Sequence, residues 1–151
     1  MSIDPGLLAK LGVADSDGVH APFVGVSEFK KLVSLDIECL LNTKRNQSLN
    51  DLSGFRHAET SVVAFGIEDF SAKYFENVLD VKDICRAVGR CIQLFEPRLQ
   101  QVNVDADVAV RSVSGLGLVI SAMLIAPGVR EVVRFNAMFD IVSKKYAISA
   151  Q

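Results

Sequence analysis

Residues 80–111 read DVKDICRAVGRCIQLFEPRLQQVNVDADVAVR, and the hydrophobic period changes once within them. Up to Phe95 the apolar residues Val81, Ile84, Val88, Cys91, Ile92 and Phe95 recur at helical spacing and make one continuous stripe, with Asp80 placed to cap it. Pro97 lacks a backbone N–H and disfavours helical geometry at the residue before it, so the predicted helix, residues 81–96, stops at Glu96. Beyond the proline the period becomes two. Val102, Val104, Ala106, Val108 and Val110 alternate with Gln101, Asn103, Asp105 and Asp107, the pattern of a half-buried strand, with a break expected near Asp105.

Upstream, Phe29, Leu32, Val33, Ile37, Leu40 and Leu41 predict a second amphipathic helix that starts at Ser27 as its cap and ends near Lys44 and Arg45. Residues 46–60 are polar and rich in turn formers, and read as a loop; residues 61–65 are a short apolar run closed by Gly66. Downstream, residues 116–126 are apolar on both faces. The turn Ala126-Pro127-Gly128 leads into residues 132–142, where Phe135, Ala137, Phe139 and Ile141 alternate with polar residues, so the two runs should pair as an antiparallel hairpin. Tyr146-Ala147-Ile148 suggests one last strand. Helices followed by strands predict an α+β fold, with amino-terminal helices packed on one face of a small antiparallel sheet that ends in a carboxy-terminal hairpin. Residues 13–27 carry no apolar period, so residues 1–26, with Leu7, Leu8 and Leu11, are expected to form an arm and linker ahead of a domain at 27–151.

The chain has 151 residues, half of them hydrophobic, with a mean hydropathy of +0.30, enough for one domain with its own core. Sixteen basic against eighteen acidic side chains and a pI near 5.7 supply no general electrostatic drive toward nucleic acid or an anionic bilayer. Cys39, Cys85 and Cys91 are odd in number, lack metal-ligand spacing and have only His20 and His57 to assist them, so no metal or cofactor is expected. The start of the chain lacks a charged leader and an unbroken apolar stretch, and residues 116–126 are too short to span a bilayer; the expected location is the cytoplasm.

Three features break local rules. Asp36 falls on the apolar face of the first helix, between Leu32 and Leu40, where a carboxylate needs a partner; Arg98 and Arg45 are the candidates, and a structural hydrogen bond is preferred to a catalytic role. Glu38 points the other way, toward solvent. Glu96, in the last helical turn, opposes the macrodipole. Held extended by Pro97, it should stand beside Arg98 on a stiff corner, either as a surface ion pair or as a charged docking point for another protein. Residues 116–142 carry more apolar strand surface than two helices cover. Either the amino-terminal arm covers the excess or Val132, Val133, Phe135, Ala137, Phe139 and Ile141 offer a surface to a partner's strand.

Catalytic patterns are weak. No serine elbow is present, and Gly115-Leu116-Gly117 lacks a third glycine and precedes a strand, so it is no dinucleotide loop. Glu59, Glu68, Asp69 and Glu96 are carboxylates available to a glycosidase, but nothing in their spacing sets the required separation. No catalytic residues and no small-molecule substrate are assigned.

The blocks Asp36-Ile37-Glu38-Cys39-Leu40-Leu41-Asn42-Thr43-Lys44-Arg45, Ser61-Val62 with Phe65-Gly66-Ile67 and Asp69-Phe70, and Phe95-Glu96-Pro97-Arg98-Leu99 closely resemble the small baseplate wedge proteins of contractile injection machines. Among these the chain looks like the type VI secretion baseplate subunits called TssE, related to a phage protein often labelled lysozyme-like. The resemblance covers roughly residues 27–142. It implies a non-enzymatic baseplate part, with Glu96, Pro97 and Arg98 engaging the wedge core and the carboxy-terminal strands seeding the contractile sheath. The implied partners are baseplate wedge proteins and sheath subunits. The same resemblance also raises a peptidoglycan hydrolase, from the label, and a small regulatory adaptor of the same fold.

Overall fold

A computed structural model describes residues 25–45, 54–55, 57–70, 73, 77–112, 115–126 and 128–150. The expected arm lies outside the described residues apart from Gly25 and Val26, as does most of the loop at 46–60. Helix α1, Val26–Asn42, is followed by a single 3-10 turn, Val62–Ala64, and helix α2, Val78–Phe95. Four strands come after them: β1 Leu99–Ser112, β2 Gly115–Ala126, β3 Val129–Asp140 and β4 Lys145–Ala150. The sheet order is β1-β2-β3-β4, every pair antiparallel. This is the expected α+β arrangement with its carboxy-terminal hairpin.

Both helices begin earlier than their apolar stripes. Gly25, not Ser27, caps α1, its N–H donating to the Glu28 carboxylate (3.3 Å). At α2 the Asn77 side chain accepts from the Leu79 N–H (3.0 Å), which displaces the cap from Asp80 to Asn77. Asp80 then lies in the first turn, where its charge suits the helix dipole, and Lys73 bridges it to Asp83.

Phe29, Val33, Ile37, Leu40 and Leu41 of α1 and Val81, Ile84, Val88, Cys91 and Ile92 of α2 are buried against one face of the sheet. That face carries Leu116, Leu118, Ile120 and Leu124 of β2 and Val133, Phe135, Ala137 and Phe139 of β3. α2 lies along β1 and α1 along β4. The apolar excess of residues 116–126 is therefore mostly core, because alternate β2 residues face the helices and the intervening ones are partly buried on the other side.

β1 is not broken at Asp105, which pairs with Val119; the register slips on either side of it, between Gln100 and Asn103 and between Asp107 and Arg111. Gln101 takes the left-handed backbone (φ 53°) at the first slip. Between the helices, Ile67 N–H donates to Thr43 O (2.9 Å) and Arg45 N–H to Ile67 O (2.8 Å), a short parallel bridge. Gly66 has φ 99°, and a Cβ there would lie 2.3 Å from Thr43 O, so only glycine fits.

Candidate functional site

α2 ends where Pro97 forces it to, and the turn that follows is built from Glu96. Its carbonyl accepts from the Leu99 N–H (3.1 Å), and Arg98 O then accepts from Ile125 N–H (2.8 Å), which starts the β1–β2 ladder. The Arg98 guanidinium folds back onto Glu96: Nε donates to Oε1 (2.6 Å), the Arg98 N–H to the same oxygen (3.2 Å), and Nη2 to Oε2. Nη2 also donates to Asp36 Oδ2 on α1, and the guanidinium carbon sits 5.7 Å from the Phe29 ring centroid. Burial disfavours the guanidinium charge, but the hydrogen bonds to Glu96 and then Asp36 outweigh it and hold Arg98 above its ordinary pKa. Arg98 Nη1 is buried with no partner among the described residues.

This geometry corrects two expectations. Glu96 is only 4% exposed, so the pair with Arg98 is neither a surface ion pair nor an outward charged point; Pro97 is the exposed residue of the three. The cause lies outside the corner, since Phe29 and Asp36 of α1 stand where the guanidinium needs cover. Asp36 in turn is half-buried, its side chain 21% exposed, and sits at the rim of the α1 core face. Its partner is Arg98; Arg45 instead donates from Nη1 to Gly66 O (3.3 Å).

The strand surface is corrected as well. Val133, Phe135, Ala137 and Phe139 are buried under the helices, Val132 is exposed on the opposite face of the sheet, and Ile141 lies in the β3–β4 turn. β3 is an interior strand with β2 and β4 on its two sides, so it has no edge to offer. The edges belong to β4 and β1, and they differ. At β4, Asn42 of α1 accepts from the Tyr146 N–H (2.8 Å) and donates to Tyr146 O (2.9 Å), while Glu38 accepts from the Ile148 N–H (2.8 Å). Glu38 therefore does not face solvent; with Asn42 it seals the edge. At β1, the Ile125-to-Arg98 bond fixes which residues face β2, and the alternation of the ladder turns the N–H and C=O of Val104 and Ala106 outward. Among the described residues, the backbone of residues 100–106 makes no hydrogen bond other than those to β2.

Glu38 and Asn42 were missed as a unit. Their four-residue spacing puts them on one helix face, which was visible, but nothing local says that a strand edge lies against it. An exposed apolar group was also missed: Val62 is 90% exposed, Val63 is exposed, and Phe65 stacks edge-on against Phe95 (5.3 Å) at the end of α2. Of the carboxylates open to a hydrolase reading, Glu96 is locked to Arg98, and Asp69 pairs with Lys44 (3.2 Å).

Two helices over one face of a four-stranded antiparallel sheet, joined by an Asp36–Arg98–Glu96 cluster, define a small α+β domain. Residues 27–128 match the family model described as baseplate wedge protein gp25, a stretch covering α1 to the end of β2, and the chain belongs to that family. TssE falls in the same family. No curated protein and no solved structure matches the chain. The family is a structural component of baseplates. No helix among the described residues is long and apolar enough to cross a membrane.

Proposed function

We propose that the chain is the TssE-type baseplate subunit of a type VI secretion machine, a non-catalytic part that docks to the wedge core and starts sheath assembly by strand addition. It works in the cytoplasm, at a baseplate docked to the membrane. The observation that carries this reading is the asymmetry of the sheet: α1 side chains bond Tyr146 and the Ile148 N–H on the β4 edge, and the outward N–H and C=O groups of Val104 and Ala106 on β1 have no partner among the described residues. Strand addition thus belongs to β1. The Glu96-Pro97-Arg98 turn contributes differently from a charged contact. Its ion cluster fixes the turn from inside, and the exposed Pro97 presents the wedge-facing surface.

The test is Val104→Pro, which deletes an outward N–H and leaves the β1–β2 bonds intact. With a fluorescent sheath subunit, sheath assembly should fall to the level of a deletion strain, while thermal unfolding verifies the fold of the variant. Normal sheaths from a folded Val104→Pro protein would overturn strand addition at β1. The purified chain should leave murein uncleaved; reproducible glycan cleavage would overturn the non-catalytic reading.

A further inference from the structure

A groove of about 640 Å³ runs between α2 and β1, alongside the open edge. Its floor is apolar, made by Val81, Cys85 and Gly89 of α2 and Val102, Val104 and Ala106 of β1. One wall is cationic: Lys82, Arg86 and Arg90 follow one another at four-residue spacing along α2, all exposed. Arg86 donates to Asp83 (2.9 Å); Lys82 and Arg90 form no ion pair among the described residues. Among the described residues, the one carboxylate lining the groove is Asp105, which accepts from Asn103 (2.6 Å).

The spacing is informative. Four helical residues rise about 6 Å, and two residues of an extended strand rise about 6.6–6.8 Å. A strand laid along β1 therefore brings every second side chain past one cation of the α2 row. Glutamate suits such positions, because its methylenes can rest on the apolar floor while its carboxylate reaches the rim.

We propose that this groove receives an extended segment of another polypeptide with glutamates at alternate positions, its backbone paired to the outer edge of β1 and its carboxylates to Lys82, Arg86 and Arg90. The proposal rests on the strand-addition reading above and adds the chemistry of the incoming strand.

The experiment uses the full chain and three labelled nine-residue peptides, in which threonine alternates with glutamate, with glutamine or with lysine. Fluorescence anisotropy should show at least tenfold tighter binding of the glutamate peptide at 50 mM salt, and the preference should shrink at 500 mM. Amide hydrogen exchange at residues 102–106 should slow on binding. Lys82→Glu/Arg86→Glu/Arg90→Glu should reverse the preference toward a threonine–lysine peptide, and the milder Lys82→Gln/Arg90→Gln should weaken it. Equal binding of the glutamate and glutamine peptides, with β1 protected, would sink the acidic-partner proposal and leave strand addition standing. Absence of β1 protection with either peptide would sink both.

Discussion

Arg98 joins three parts of the chain: α1 through Asp36 and Phe29, the end of α2 through Glu96, and β2 through its own carbonyl, which accepts from Ile125 N–H. The balance of such a cluster is asymmetric. Making it gains little over a well-packed apolar replacement, but removing one member leaves a buried charge unpaired. Arg98→Ala is expected to cost about 3–5 kcal/mol in urea unfolding, because it strands Glu96 in the interior. Arg98→Lys should recover little, since an ammonium cannot reproduce the Nε and Nη2 bonds together. Asp36→Asn should cost less, because Asp36 keeps partial access to water. From the sequence, Arg98→Glu is expected to disturb docking and spare the fold; with two carboxylates already converging on that point, it should unfold the domain instead. Cys91 carries a pH-dependent stability contribution. Burial pushes its thiol up to about 12, against a smaller opposing effect of Arg45. An unfolded thiol ionises near ~8.5, so the contribution is complete below that pH and declines as pH rises from there toward the folded value. Cys91→Ala should flatten the fall in urea midpoint between about pH 8.5 and 10.

At the scale of elements, two glycines separate backbone necessity from tolerance. Gly66→Ala sets a Cβ against Thr43 O in a left-handed conformation and should cost at least about 2 kcal/mol, as thermal unfolding will show. Gly89→Ala is the opposite case: its Cβ would lie 3.5 Å from Val104 Cγ2, an ordinary contact. Helix propensity should then raise stability by about 0.8–1 kcal/mol. The elements themselves were legible because their signals are local. The stripe from Val81 to Phe95, the stop at Pro97 and the switch to alternation at Val102 each sit within a few residues of what they determine. The start of α2 was less legible because Val78 and Leu79 are exposed and add nothing to the stripe, so only the Asn77 cap marks it. The inward turn of Glu96 was not legible at all. It depends on Phe29 and Asp36, some sixty residues earlier, meeting the corner in space. The same applies to β3, whose alternation is correct but whose interior place follows from β4 adding beyond it.

For the whole molecule, the two margins of the sheet are treated unequally, and that inequality is testable. Glu38→Ala/Asn42→Ala removes the side chains that bond the β4 edge and should expose the Tyr146 N–H and C=O and the Ile148 N–H. Sedimentation velocity should then show concentration-dependent association absent from the parent chain; a variant that stays at the parent's size at every concentration would show that α1 covers the margin by bulk alone. The seal also constrains timing. Its hydrogen bonds join residues 104 and 110 positions apart, linking a helix made early in synthesis to a strand made late. On the ribosome, α1 must wait until Tyr146 and Ile148 have cleared the exit tunnel before the clasp can shut, so this part of the fold closes more than a hundred residues after α1 is made.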